Sequence, residues 1–174
     1  MAFYNALVAE RENATVEAKR LDDGRAQTTS GTGEARVASI ELRNEQGETV
    51  EYVNVGEQVR LEVKIRLHAD LPELVFGYMI KDRLGQSVFG TNTHHLKVEM
   101  AQLKKDELLT LVFSFPANIG LGSYSVSTAL HVTDTHLATN YEWRDQALMF
   151  NVVNVNRDQF VGVNWIPPLV EYQR

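Results

Sequence analysis

The sequence predicts an all-β protein: an immunoglobulin-like antiparallel β-sandwich preceded by a short N-terminal helix and a linker. Three observations carry the prediction. From residue 35 onward, apolar residues recur with a period of two, the signature of half-buried strands. Turn signals separate seven or more such runs, as in a sandwich. Tyr124 follows "NIGLG" at the mouth of a strand, where a tyrosine corner sits in this topology.

In chain order, residues 2–20 carry Phe3, Leu7 and Val8 at helical spacing and are otherwise polar, which predicts a short helix with a thin apolar stripe. Residues 21–34, "LDDGRAQTTSGTGE", hold almost nothing to bury and read as a flexible linker. A disordered leader fits the composition of this region equally well. The domain division is therefore 1–34 for helix and linker and 35–174 for the sandwich.

The first sandwich strand, 36–42, sets Val37 and Ser39 against Ala38 and Ile40, and "NEQGE" then marks a turn. In "VRLEVKIRLH", Val59, Leu61, Val63, Ile65 and Leu67 point one way, and Arg60, Glu62, Lys64, Arg66 and His68 the other. "FGYMIKDRLGQSVFGTNTHH" is a strand, a tight turn and a second strand. Leu109, Leu111, Phe113 and Phe115 repeat the alternation until Pro116 stops it. Tyr124, Val126, Thr128, Leu130 and Val132 share one face of the next strand, and Leu148, Phe150 and Val152 one face of the last.

With 174 residues, 44% hydrophobic and 23% charged, the chain fits one domain with an appendage. No apolar run approaches bilayer length, and the N-terminus lacks a signal-peptide core. Cysteine is absent, which permits a reducing compartment. A net charge of −6 argues against nucleic acid or anionic lipid as a partner.

The outward faces of the two sheets differ. With Tyr78 and Ile80 inward, 73–82 shows Gly77, Met79 and Lys81; 123–132 shows Ser123, Ser125, Ser127, Ala129 and His131; and 146–153 shows Ala147, Met149, Asn151 and Val153. The strand from residue 86 adds Thr91, Asn92 and Thr93. If these strands share a sheet, one exterior is charged and the other small, neutral and rich in hydrogen-bonding groups. Such a surface suits an uncharged polyhydroxylated ligand, because Asn, Ser, Thr and His both donate and accept. Tyr141 and Trp143, in the loop before the last strand, would supply rings for a sugar's C–H face. The candidate binding residues are Lys81, Asn92, Ser125, Ser127, His131, Tyr141, Trp143 and Asn151, with Lys81 or Arg144 available to an anionic terminal group. Pattern alone equally allows a face packed on another domain or subunit.

Catalytic signatures are missing: no G-x-S-x-G, Walker A or H-E-x-x-H string occurs. His94-His95 and the set His131, Asp134 and His136 are the only groupings that suggest a metal, and neither has a recognised spacing. No metal, cofactor or catalytic residue is assigned.

"GYMIKDRLGQSVFGTNT" resembles the C-terminal domain of Wzt proteins, the ATPase subunits of ABC transporters that export O-antigen polysaccharides, and the resemblance extends over about residues 35–165. "FYNALVAERE" is similar to the tail that follows the nucleotide-binding domain in that family. The resemblance implies a non-catalytic carbohydrate-binding module that recognises the finished, lipid-linked O-antigen polysaccharide and confers specificity on its exporter. It also implies a cytoplasmic location at the inner face of the inner membrane, with an upstream ATPase domain and a membrane subunit as partners. A homodimer that exchanges a C-terminal strand is implied too; "FVGVNWIPPLVEYQR" is apolar enough, with Trp165 and Ile166 to bury and Pro167-Pro168 to end the strand. The "GTNT" motif reads as structural as readily as ligand-binding. The alternative function is a dimerisation or docking sandwich with no ligand of its own.

Overall fold

The computed structural model describes residues 15–20, 26–132 and 140–174, with side chains from residue 27. Among them are eleven strands: β1 (Thr15–Arg20), β2 (Ala26–Gly31), β3 (Ala35–Arg43), β4 (Tyr52–Asn54), β5 (Gln58–Leu67), β6 (Leu71–Asp82), β7 (Ser87–Asn92), β8 (Met100–Leu103), β9 (Leu108–Pro116), β10 (Gly122–His131) and β11 (Asn140–Val153). The larger sheet runs β1-β2-β11-β10-β6-β7, with β4 on β11 and β8 on β6; the smaller runs β3-β5-β9. In both sheets neighbouring strands pair antiparallel, except β4 with β11 in the larger one. No helix among the described residues is long and apolar enough to cross a membrane.

The sandwich closes because β5 and β10 obey the period of two. Val63, Ile65 and Leu67 on β5 are fully buried, opposite Phe76 of β6 and Leu130 of β10 in one core cluster. Aromatic rings fill the middle, with the Phe113 ring 5.0 Å from that of Tyr78 and 5.7 Å from that of Phe76. Tyr124 makes the expected corner: its hydroxyl donates to the Gly120 carbonyl at 2.7 Å, tying the start of β10 to the preceding loop. Outside the smaller sheet, Arg43 bridges Glu41 and Glu62 at 2.6 and 3.5 Å, which is the charged exterior expected of β5 and its neighbour.

Several expectations are corrected. Residues 15–20, expected at the end of a helix, form β1, and 2–14 lie outside the described residues. Within the expected linker, 26–31 form β2, which pairs with β1 and joins β11 at Trp143 and Arg144. The sheet therefore begins ahead of residue 35. Main-chain hydrogen bonding to an open edge of β11 overrides a sequence with little to bury.

In β3, Ala38 is an extra residue: Val37 pairs with Ile65, but Ser39 pairs with Lys64. The bulge shifts the phase, so Ile40 and Leu42 join Val37 on the inward side instead of alternating with it. The last strand is longer than the expected 146–153, so Tyr141 and Trp143 lie on a strand and not in a loop. His94 and His95 follow β7 in a turn.

Candidate functional site: the outer face of the larger sheet

Register brings the expected residues together. On β10, Ser125 lies between Lys81 of β6 and Met149 of β11, and Ala129 between Gly77 and Trp143. Ser123 sits opposite Asn151, and its hydroxyl donates to the Asn151 Oδ1 at 2.7 Å. His131 ends the row, with Nδ1 2.7 Å from the Val132 carbonyl. A carbonyl only accepts, so Nδ1 carries the proton, and Nε2 of the neutral ring is left as an acceptor.

The serines are the floor of this face. Ser125 is 9% exposed and Ser127 4%, hemmed by longer neighbours on adjacent strands. Ser127 is committed: its hydroxyl donates to Asp145 Oδ1 at 2.7 Å. Lys81 Nζ lies 3.5 Å from the same oxygen and 5.7 Å from the centre of the Trp143 ring. Sequence reading missed Asp145. Between Val126 and Thr128, β11 sets Asp145, Gln146 and Ala147 against the single Ser127, with Gln146 at φ 48°; Asp145 keeps the outward side of Ala147, Met149 and Asn151. Alternation drawn backward from Leu148 already places Asp145 on the side of Ala147 and Met149; it was missed because the strand was expected to begin at residue 146, whereas it begins at Asn140.

Two expected contributors are placed differently. Tyr141 is 7% exposed and belongs to the core cluster, so it offers no ring to a rim. Burial pushes its hydroxyl pKa up, and Glu34 and Glu73 add to the shift. Arg144 faces inward, where Nη2 donates to the Val37 carbonyl and to Glu142 Oε2, both at 3.2 Å; it does not reach the face. Asn92 stays on the face opposite Gly77, although its Oδ1 accepts from the His95 N–H at 2.7 Å and caps the turn after β7.

Gly90 and Thr93 of "GTNT" make structural contacts. Thr93 Oγ1 accepts from the Phe76 N–H at 3.1 Å, and a Cβ on Gly90 would lie 2.8 Å from the Met79 sulfur. The residues that remain on the face are Lys81, Asn92, Ser125, Ser127, His131, Trp143 and Asn151, joined by Asp145. His131 and His94 belong to no metal-holding group of three among the described residues; Asp134 and His136 lie outside them.

A cavity of about 510 Å³ opens elsewhere, between β7 and β9, the free edges of the two sheets. Tyr78, Phe89, Leu96, Val112 and Phe113 line it, and it shares Phe89 and Phe115 with a smaller cavity of about 230 Å³ that reaches Asn164. Beyond it the chain end is anchored by Trp165, which packs on Gly56 and under the Arg157 guanidinium, 4.8 Å from the ring centre.

A family model, that of the Wzt C-terminal domain, matches residues 26–166. Among solved structures, the crystal structure of the C-terminal domain of Wzt superposes with a TM-score of 0.74 at 18% identity, covering 84% of this chain and 89% of that one. More distant are a β-glucosidase from Erythrobacter marinus (TM-score 0.43, 9% identity, 75% of this chain and 16% of that one) and the CARDB domain of PF1109 from Pyrococcus furiosus (0.41, 15%, 70% and 97%). No curated protein matches the chain. The family match starts at the first residue of β2, in keeping with that strand's place in the sheet.

Proposed function

The chain belongs to the family of Wzt C-terminal domains, the non-catalytic domain of the ATPase subunit of O-antigen ABC exporters, and from that premise we propose that it recognises the finished O-antigen polysaccharide and confers specificity on its exporter. The observation that supports this reading is the outer face of β6, β10 and β11. There Ser125 and His131 of β10 and Asn151 of β11 are spread along one face, with Trp143 opposite Ala129 near the His131 end and Asn151 opposite Ser123 at the other. Hydroxyls of different sugar units along the polymer meet the His131 Nε2 acceptor and the Asn151 carboxamide, and a pyranose C–H face lies on Trp143. Such a glycan is lipid-linked and cytoplasmic, met at the inner face of the inner membrane beside the exporter's membrane subunit.

Titration of the protein with purified O-polysaccharides of known repeat and known terminal modification tests the reading. His131→Ala, Asn151→Ala and Trp143→Ala should each weaken binding about tenfold, roughly 1.4 kcal/mol. Retention of no polysaccharide by the wild type, or full binding by all three variants, overturns it.

A homodimer accompanies this function. Past Trp165 the chain leaves the body with Ile166, Leu169, Val170 and Tyr172 at least 80% exposed. The edges of β7 and β9 beside the apolar cavity are open to strand addition by a second copy. Trp165 is packed within its own chain, so the exchanged segment is narrower than 160–174 and starts at Ile166. Docking without a ligand is the second reading, and this same tail favours it.

A further inference from the structure

Asp145 changes the chemistry of the face. Its carboxylate and the Lys81 ammonium are nearly withdrawn from water, with side chains 13% and 15% exposed, and their charges cancel at 3.5 Å. We infer that Asp145 and Lys81 together make this a site for an uncharged sugar presenting a vicinal diol, with Asp145 the residue that rejects an anionic end. The inference rests on the carbohydrate-binding reading above.

Geometry assigns the atoms. Ser127 donates to Oδ1 and Lys81 pairs with Oδ1, so the carboxylate is held from one side. Oδ2 has no hydrogen-bond partner among the described residues and is the acceptor offered to a ligand hydroxyl. The ammonium carries three donors, one spent on Asp145, and supplies the matching donor to the neighbouring hydroxyl. Trp143 underlies Lys81 and gives an apolar wall to the ring carbons between the two hydroxyls. A phosphate or carboxylate would have to take Lys81 from Asp145 and then sit beside an uncompensated, poorly hydrated carboxylate. Like charges in such a place oppose binding, which is discrimination by repulsion.

The test compares one neutral O-polysaccharide retained by the wild type with the same chain carrying a terminal phosphate ester, and with the chain after periodate cleavage of its vicinal diols. Wild type should favour the neutral form at least tenfold and lose the periodate-treated chain. Asp145→Asn keeps the shape and removes the charge, so its preference for the neutral over the phosphorylated form should fall at least tenfold. Lys81→Gln should weaken the neutral glycan and bind the phosphorylated one no better; it serves as the second arm should Asp145→Asn lose its circular-dichroism signature. A preference that is unchanged in Asp145→Asn, or a wild type that favours the phosphate ester or binds the periodate-treated chain undiminished, overturns the inference and leaves carbohydrate binding standing. A wild type that retains no polysaccharide removes both.

Discussion

Glu142 is 2% exposed, with one oxygen accepting from the Val37 N–H at 3.1 Å and the other from Arg144 at 3.2 Å. This buried pair staples the bulge of β3 to β11 across the sandwich. Burial raises the Glu142 pKa, and the Arg144 charge and the Val37 hydrogen bond offset only part of the shift. The fold therefore binds the proton more tightly than the unfolded chain, whose glutamate titrates near ~4.3. The contribution of this group to stability is fully present below that value and is lost as pH rises through the raised one. Urea unfolding of wild type and Glu142→Gln across pH 4 to 7 should show the wild type losing stability relative to the variant as pH rises through that window; a constant difference would contradict it. Arg144→Met leaves the carboxylate unpaired and should cost about 3 to 5 kcal/mol. A smaller demand falls on Tyr124, where Tyr124→Phe removes one hydrogen bond to Gly120 and should lower stability by about 1 kcal/mol at an unchanged denaturant slope.

At the scale of elements, what the sequence revealed follows from which force shaped each strand. β5 and β10 are set by side-chain burial, and their alternation is written in Val63, Ile65, Val126 and Leu130. Hence the outer row of Ser125, Ser127 and His131 was legible, together with its neighbours on β6 and β11. β2 joins β1 and β11 through main-chain pairing and a Gln27 side-chain bond to the Gln146 carbonyl, and its sequence has no apolar period to read. Bulges were equally hidden. One extra residue at Ala38 moves Ile40 to a new face, and the left-handed Gln146 marks a bulge in β11 next to the Lys81–Asp145 pair. The chain end shows a third kind of constraint, backbone room for a ring. Gly56 has φ 78°, and a Cβ there would stand 2.6 Å from the Trp165 ring. Gly56→Ala should therefore loosen the segment after Phe160, seen as faster proteolytic removal of the C-terminus while the sandwich keeps its near-ultraviolet signal. Cleavage at the wild-type rate would mean that Trp165 is not the anchor.

For the whole molecule, the sandwich has an unfinished side. β9 is an edge strand whose inward residues Leu111, Phe113 and Phe115 are only half-buried, in contrast to the fully buried row of β5. Facing them across the cavity, Phe89 is 53% exposed. The same chain ends in a tail whose four large apolar residues stand in solvent. Two exposed apolar surfaces on one chain are most simply satisfied by each other. Full burial of the four side chains would contribute about 6 to 12 kcal/mol per tail, and a symmetric exchange gains it twice. Association costs on the order of 4 to 15 kcal/mol, so a dimer of micromolar or better affinity is within reach. Removing residues 166–174 spares the Trp165 anchor and should convert a dimer into a monomer by light scattering at micromolar concentration. A truncated chain that stays dimeric would place the interface elsewhere. The polysaccharide face lies on the exterior of the larger sheet and the exchange at its β7 edge, so truncation should leave the intrinsic glycan affinity of each domain within about twofold while abolishing the avidity of two linked sites for a repeating polymer.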